Sequence, residues 1–174
     1  MKTAKVTVLP YSKSWQTAFE MIRDEIKAAL GDLALVIEHV GSTAVAGMSA
    51  KPCIDIDVVI ADRAALAAVI DRLAAIGYEH EGDLGICDRE AFKYTNKPHL
   101  MQHHLYVCSK SSAELHRHLA FRDFLKNNAA AALQYSKVKE EAARLFPNDI
   151  DRYIAYKSPC IQELYRQCGL EPQP

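Results

Sequence analysis

The sequence predicts a single domain of the α+β, or mixed α/β, class, with a sheet of about four or five strands flanked by helices. The chain has 174 residues, which is enough for one hydrophobic core and short for two. No linker rich in glycine, serine or proline divides it. Apolar residues recur with helical spacing in some segments and with strand alternation in others. We therefore expect one domain over residues 1–170 and a disordered tail over 171–174.

In the first half of the chain, helix and strand patterns alternate. A short strand is predicted at 4–9, ended by Pro10. A helix follows over 14–30, and Gly31 favours its end. Its apolar face consists of Trp15, Phe19, Ile22, Ile26 and Leu30. Strands are predicted at 33–40 and 53–60. Asp62 is predicted to cap the next helix, which Gly77 closes.

The second half becomes helical after a few short strands. Extended pieces are expected within 78–108, most clearly at 103–108. Ser111 and Glu114 have the spacing of a capping box, which predicts a helix start. A further helix is expected over 129–146, because Pro147 follows it. The segment 149–169 is predicted to form two helical pieces, the second beginning at Ser158–Pro159.

Composition excludes several functional classes. The formal net charge is −1, whereas dedicated nucleic-acid binders are usually strongly basic. No apolar run approaches the ~20 residues of a membrane span, and the first residues lack the apolar centre of a secretory signal. The five cysteines are scattered, with no C-x-x-C pair. We interpret them as small buried apolar residues in a reducing cytoplasm, not as disulfides or a zinc site.

The segment CIDIDVVI carries two aspartates in an apolar run. Alternation places Asp55 and Asp57 on one face of the predicted strand. The other face carries Ile54, Ile56, Val58 and Ile60. Two carboxylates about 7 Å apart on one face repel each other. A divalent cation removes that cost, and Mg²⁺ suits carboxylate oxygens together with phosphates. The alternative is an ordinary edge strand with a solvated face.

A second feature lies just before this strand. Gly41 and Ser42 follow the strand predicted at 33–40. Backbone N–H groups at such a junction favour an anion, glycine allows a phosphate close to the backbone, and serine adds a hydroxyl donor. Twelve residues, 43–54, separate Ser42 from Asp55. A Gly-Ser pair alone is weak evidence, but here it precedes a D-x-D strand.

This combination resembles the signature of the DNA polymerase β-like nucleotidyltransferases. The segments EHVGST and AKPCIDI, with HHLYV and HLAFRDFLKNN further on, resemble more narrowly the GrpB family of that superfamily. The resemblance extends from about residue 5 to 168. It implies a nucleotidyltransferase-like fold with a mixed sheet and a helical C-terminal part. It implies no established reaction.

The resemblance also implies roles for particular residues. Gly41 and Ser42 would hold the phosphates of a nucleoside triphosphate, and Asp55 and Asp57 would hold Mg²⁺. Active members of the superfamily carry a third carboxylate on a later strand. The matching strand here, HHLYVC, has none, so His104 is the candidate general base or softer metal ligand.

Basic residues would supply the rest of a phosphate site. The candidates are Lys51, Arg122, Lys139 and Lys157. Arg122 falls on the apolar face of its helix, where a guanidinium needs an anionic partner. Glu38 is a candidate partner for such a basic residue, and His39 is expected to support the turn by a hydrogen bond.

Two hypotheses of different class remain open. The first is a Mg²⁺-dependent nucleotidyltransferase acting on an unknown acceptor. The second is a module that binds a nucleotide or phosphorylated metabolite without chemistry. A carboxylate such as Asp88 or Glu90 near the two aspartates would favour the enzyme, whereas His104 and Tyr106 alone would favour binding. A zinc site among the histidines is a weaker interpretation, because no H-E-x-x-H motif is present.

Overall fold

A computed structural model of the chain describes residues 5–171. Over that range it contains a five-stranded sheet and five α-helices, together with short 3₁₀ turns, which confirms the predicted α+β class. The strands are β1 Val36–Val40, β2 Ile54–Ile60, β3 Glu79–Gly82, β4 Glu90–Lys93 and β5 His103–Ser109. The helices are α1 Ser14–Leu30, α2 Leu66–Ala75, α3 Ala113–Asn127, α4 Ala129–Leu145 and α5 Ile150–Gln167.

The sheet is mixed, with the strand order β1-β2-β5-β4-β3. Strands β2 and β5 run parallel, and the other neighbours are antiparallel. In the register of β2 with β5, Asp55 lies beside His104 and Asp57 lies beside Tyr106. The sheet therefore places the two aspartates next to the strand on which a third acid was sought.

One face of the sheet forms the main core. The apolar side chains of β2 alternate onto it and pack against α1 and α2, as predicted from the period of two. Ile54 and Ile56 are fully buried there, and burying such a side chain contributes about 1.5–3 kcal/mol. The other face carries the aspartates. At its far end Val59 and Cys108 pack under Leu115 of α3.

A second apolar cluster holds the C-terminal helices against the connection between β1 and β2. Val45 and Met48 of that connection pack with Leu125 of α3, Tyr135 of α4 and Leu164 of α5. Hydrogen bonds reinforce the contact. The Ser49 hydroxyl donates to Glu140 Oε1 at 2.5 Å, and its backbone N–H donates to the Ser136 hydroxyl at 3.1 Å. The helices are thereby fixed opposite the polar face of the sheet.

The N-terminal strand predictions are only partly right. Of the strand predicted at 4–9, residue 4 lies outside the described residues, and the remainder is reduced to a bridge between Leu9 and Ala50. The strand predicted at 33–40 is too long, because it begins at Val36. Residues Gly31–Leu33 continue the end of α1 as a 3₁₀ turn.

Two predictions in the C-terminal half are wrong. The cap of α3 is Ser112, whose hydroxyl accepts a hydrogen bond from the Leu115 N–H at 3.2 Å, and not Ser111. The segment after Asp149 forms one helix with Pro159 inside it, not two pieces. Packing of Tyr153 and Leu164 on either side of the proline outweighs the single backbone hydrogen bond that proline removes.

Among residues 5–171, no helix combines the length and the apolar character needed to cross a membrane. The three C-terminal residues of the predicted tail, 172–174, lie outside the described residues.

Candidate functional site

A cavity of about 290 Å³ lies between the polar face of the sheet and helices α3 to α5. Its lining includes eight of the nine residues that the sequence nominated: Gly41, Ser42, Lys51, Asp55, His104, Arg122, Lys139 and Lys157. The ninth, Asp57, is fully buried beside it. The volume is near the lower end of the range for small-molecule pockets. Residues far apart in the sequence therefore meet in one concave site.

The turn after β1 is built for close contact with Asp55. Gly41 has φ +74°, a region that residues with a side chain rarely adopt. A Cβ added to Gly41 would overlap Oδ2 of Asp55. The His39 imidazole supports the turn as predicted, since its Nε2 lies 2.9 Å from the Thr43 hydroxyl and its ring stacks on Phe19. Burial lowers the pKa of His39 to about 4, so this ring is neutral.

Substitution of Gly41 by alanine is expected to damage the site more than it damages the backbone. Gly47 has a similar φ of +86°, with nothing near a built Cβ, and serves as the matched control. Gly41 has φ +74° and ψ −176°, a backbone region essentially restricted to glycine, which costs about 1–3 kcal/mol for other residues, and Gly41→Ala must also displace Asp55. We expect Gly41→Ala to lower the free energy of unfolding by about 1–3 kcal/mol more than Gly47→Ala. Equal losses in chemical denaturation would contradict the packing described.

Asp55 and His104 form a polar pair on adjacent strands at the cavity edge. His104 Nδ1 lies 2.9 Å from Asp55 Oδ1. The hydrogen bond to Asp55, with a second one to Cys53, raises the pKa of His104 to about 10. The imidazole therefore carries a proton at neutral pH while it is paired with the carboxylate.

Asp57 is paired with a second histidine that the sequence did not nominate as a partner. His118 Nδ1 lies 2.6 Å from Asp57 Oδ2, and His118 Nε2 lies 3.2 Å from Glu114 Oε1. Burial disfavours the imidazolium, but the hydrogen bonds to the two carboxylates raise the pKa of His118 to about 9. Burial also raises the pKa of Asp57, and the imidazolium opposes that rise. We assign the proton to His118, since both of its nitrogens face carboxylates.

This pairing predicts the titration of His118 in the metal-free protein. Long-range ¹H–¹⁵N NMR should show an imidazolium up to a pH of about 9, with the exposed His116 on the same helix as the reference. The pair's contribution to the free energy of unfolding should be fully present below pH 6.5, the ordinary pKa of histidine, and be lost as the pH rises through about 9. A His118 midpoint at or below 6.5 would contradict the assignment.

Neither Asp88, which lies before β4, nor Glu90, the first residue of β4, completes a triad with Asp55 and Asp57. Asp88 instead accepts hydrogen bonds from the Ser109 N–H and hydroxyl. Glu90 is paired with Arg63 at 2.8 Å and with His80 at 2.7 Å. Strand β5 offers His104 and Tyr106 at the positions beside the aspartates. Strand β5 therefore lacks a third acid, as the sequence indicates, and neither Asp88 nor Glu90 takes its place.

Three lysines surround the helical side of the cavity. Lys139 is only 3% exposed, and its Nζ has no hydrogen-bond partner among residues 5–171. Burial, followed by repulsion from Lys157, lowers the pKa of Lys139 to about 7. Burial and Lys51 likewise lower the pKa of Lys157 to about 8. The Nζ atoms of Lys51 and Lys157 lie 5.6 and 4.8 Å from the centre of the same Tyr153 ring. This arrangement of cations favours a bound anion.

Arg122 has the anionic partner that its position required. Its Nη1 donates to Glu38 Oε2 at 2.6 Å and to the His39 carbonyl at 3.1 Å, and its Nε donates to Asp123. The prediction that Glu38 pairs with a basic residue of the C-terminal helices is confirmed. Arg122 reaches the cavity with its charge already compensated, so it fastens α3 to the end of β1.

Sequence reasoning missed several residues of the site. His118 and Glu114 form the Asp57 network, and Phe121, Tyr135, Tyr153 and Tyr165 supply aromatic surface to the cavity. The spacing of Glu114, His118 and Arg122 along one helical face was the available signal.

The cysteines also differ from their prediction. Among the described residues Cys108 alone is buried, Cys87 is exposed, and Cys53 lines the cavity.

The fold is nucleotidyltransferase-like. The structure resembles that of the Cid1 poly(U) polymerase bound to MgGTP, with a TM-score of 0.55 at 13% identity over 78% of this chain and 44% of that one. At this identity the likeness concerns the fold. The family model of the GrpB protein matches residues 5–167. The chain therefore belongs to the GrpB family.

Closer relatives agree with that assignment. The crystal structure of the conserved protein GrpB from Enterococcus faecalis superimposes with a TM-score of 0.78 at 30% identity, covering 92% of this chain and 98% of that one. The UPF0157 protein YqkA of Bacillus subtilis is 31% identical over 159 residues, which is 91% of this chain. The chain spans 46% of that relative's length.

Proposed function

We propose that this protein binds a nucleoside triphosphate with a divalent cation and transfers its nucleotidyl group to an acceptor. The observation that carries the proposal is the Lys139 ammonium, buried without a hydrogen-bond partner among the described residues, in a cavity whose lining also includes Asp55. An unpaired buried charge is costly. A bound phosphate removes that cost, which supports an anionic ligand on the lysine side.

The turn opposite the lysines suits the same ligand. Gly41 brings backbone close to Asp55, and the N–H groups of Ser42 and Thr43 follow it, whereas the Ala44 N–H already donates to the Gly41 carbonyl at 3.2 Å. Such successive N–H groups favour an anion. We propose that Ser42 and this backbone hold one part of the triphosphate while Lys51, Lys139 and Lys157 hold another. Their charges would neutralise the phosphate oxygens and orient the chain between them.

The carboxylates fit a cation. Asp57 Oδ1 is buried without a hydrogen-bond partner among the described residues, and Asp55 lies on the same strand face two residues away. We propose that Asp55 and Asp57 hold Mg²⁺, as their oxygen atoms favour. When bound, this ion would neutralise the charge that gathers on the reacting phosphate.

The protein's own groups control the protons. The hydrogen bond to Asp55 keeps a proton on His104. Once Asp55 is engaged with the cation, that hydrogen bond would be lost, and His104 would release its proton to solvent and then accept one from the acceptor hydroxyl. His118 holds its proton between Asp57 and Glu114, which fixes the Asp57 carboxylate in place. We propose His104 as the base of the transfer and His118 as a positioning residue.

An aromatic surface offers a place for the nucleobase. Phe121 packs edge-on against Tyr165, with ring centres 4.8 Å apart, and Tyr135 lies 6.0 Å from Phe121. All three line the cavity. Stacking of a base on such rings tolerates any base identity.

The cysteine pattern favours a reducing compartment, and we propose that the reaction takes place in the cytoplasm.

Transfer is tested with nucleoside triphosphates labelled at the α-phosphate, incubated with the protein, Mg²⁺ and a cell extract. We expect a labelled acceptor with the native protein. Labelling should be lost in Asp55→Asn and kept in Asp71→Asn, which changes an exposed aspartate of α2. Equal labelling by the native protein and Asp55→Asn would contradict transfer at this site.

The second candidate is a binding protein without chemistry. The position of His104 and Tyr106 beside the aspartates, where a third acid was sought, favours it specifically. Under this proposal the same triphosphate binds with Mg²⁺ and remains intact. Binding in calorimetry with no labelled product for any of the four ribonucleoside triphosphates would select this candidate over the first.

A further inference from the structure

We propose that Cys53, Asp55 and His104 form a site for a thiophilic transition-metal ion, of which Zn²⁺ is the chief example. Each residue offers one ligand atom, a thiol sulfur, a carboxylate oxygen and an imidazole nitrogen. These atoms all lie within 4.8 Å of one another. Within residues 5–171 this is the one such group of three or more histidine, cysteine or acidic side chains.

The fold brings the three ligands together by strand geometry. Cys53 immediately precedes β2 and lies two residues before Asp55, so both side chains project to the same face. His104 lies directly beside Asp55 in the parallel pairing of β2 with β5. The Cys53 N–H donates to the Lys51 carbonyl at 2.7 Å, which fixes the backbone at the entry to the strand. The ligands are therefore carried by a rigid part of the molecule.

The donor set selects the kind of ion. Mg²⁺ prefers oxygen ligands and near-octahedral geometry, and a thiolate is a poor ligand for it. Sulfur and imidazole favour zinc and its neighbours in the first transition series. Three protein ligands with a position open to solvent are the pattern of catalytic zinc sites. Here Cys53, Asp55 and His104 all line the cavity, so the open position faces the space proposed for the triphosphate.

The other cysteines do not offer this combination. Cys108 is buried under α3, Cys87 is exposed, and Cys160 and Cys168 lie on and just after α5. The inference rests on the proposed function only for what the ion does once a nucleotide is present: with Zn²⁺ bound, Asp55 and His104 would be zinc ligands, in place of their roles as Mg²⁺ ligand and base. The site itself needs no nucleotide, and so the two are tested separately.

The test is a titration of the reduced, nucleotide-free protein with Co²⁺, a spectroscopic substitute for Zn²⁺. We expect one Co²⁺ per chain, with a near-ultraviolet thiolate-to-metal band and visible bands of a low-coordinate site, all removed by Zn²⁺ and unaffected by excess Mg²⁺. Cys53→Ser should abolish the thiolate band, whereas Cys87→Ser should keep it. His104→Gln should weaken Co²⁺ binding by about tenfold or more.

The opposite results are equally clear. Absence of a thiolate band, or a band that survives in Cys53→Ser, would overturn the site and leave Cys53, Asp55 and His104 joined by hydrogen bonds alone. Circular dichroism of each variant establishes that it is folded before titration. Failure of the Co²⁺ test with intact binding of Mg²⁺ and triphosphate would leave the proposed function standing. A positive Co²⁺ test without triphosphate binding would support the metal site and contradict the proposed function.

Discussion

Replacing Lys139 with methionine is expected to stabilise the ligand-free protein while weakening its affinity for triphosphate. Methionine has a similar length and keeps the contact with the Tyr135 ring, over which the Lys139 Nζ lies at 4.4 Å. It removes a buried charge without a hydrogen-bond partner among residues 5–171. We expect the free energy of unfolding to rise by about 1–3 kcal/mol and triphosphate affinity to fall about 10- to 100-fold.

The stabilisation should depend on pH in a defined direction. Burial lowers the pKa of Lys139 in the folded state to about 7 from the ordinary 10.5. The unfolded chain therefore binds the extra proton between these values, and native stability rises with pH there. The advantage of Lys139→Met should be largest below a pH of about 7 and shrink towards 10.5. Chemical denaturation at several pH values measures it.

Lys137 provides the matched control for this substitution. It lies on the same helix, two residues earlier, and is exposed. Lys137→Met should change the free energy of unfolding by no more than about 0.5 kcal/mol. It should leave the affinity for triphosphate unchanged. If Lys139→Met were destabilising and still bound triphosphate as tightly as the native protein, Lys139 would be a structural residue and not an anion ligand.

Replacing Asp57 with asparagine should strongly lower the rate of transfer. The substitution keeps the shape of a fully buried side chain but removes the charge that faces the cation and His118. We expect the Mg²⁺-dependent part of triphosphate binding to disappear and the transfer rate to fall about 10²- to 10³-fold. The metal-free protein should lose about 1–3 kcal/mol of stability, because a charged hydrogen bond to His118 becomes a neutral one.

Two readouts separate a cation ligand from a purely structural aspartate. Calorimetry with and without Mg²⁺ measures the cation dependence, and NMR follows His118, whose pKa should fall when the Asp57 carboxylate is lost. Asp71→Asn, on the exposed side of α2, is the control and should behave as the native protein. Retention of the full Mg²⁺ effect in Asp57→Asn would exclude Asp57 as a ligand of the ion.

Local patterns predicted the half of the site that lies close together in the sequence. Alternation placed Asp55 and Asp57 on one strand face, and the glycine before Ser42 marked a turn whose backbone has positive φ. These features are set by a few adjacent residues. The same locality explains the correct prediction of α1, where five apolar residues at helical spacing are all buried.

The remaining features of the site and of α5 depend on tertiary contacts, which local sequence patterns do not specify. His118 pairs with Asp57 across 61 positions, and no local pattern specifies a contact at that distance. Cys53 lies near His104 only because the pairing of β2 with β5 places His104 beside Asp55, and no local pattern around Cys53 specifies that pairing. Local rules predicted two helices on either side of Pro159. Packing of the residues on both sides of the proline keeps the helix continuous.

The most direct test of the account is isothermal titration of the native protein with each nucleoside triphosphate, in the presence and absence of Mg²⁺. We expect one binding event per chain that is stronger with Mg²⁺, is weakened about 10- to 100-fold in Lys139→Met and is unchanged in Lys137→Met. No heat from any triphosphate under either condition would contradict the claim that this cavity is a cation-dependent nucleotide site.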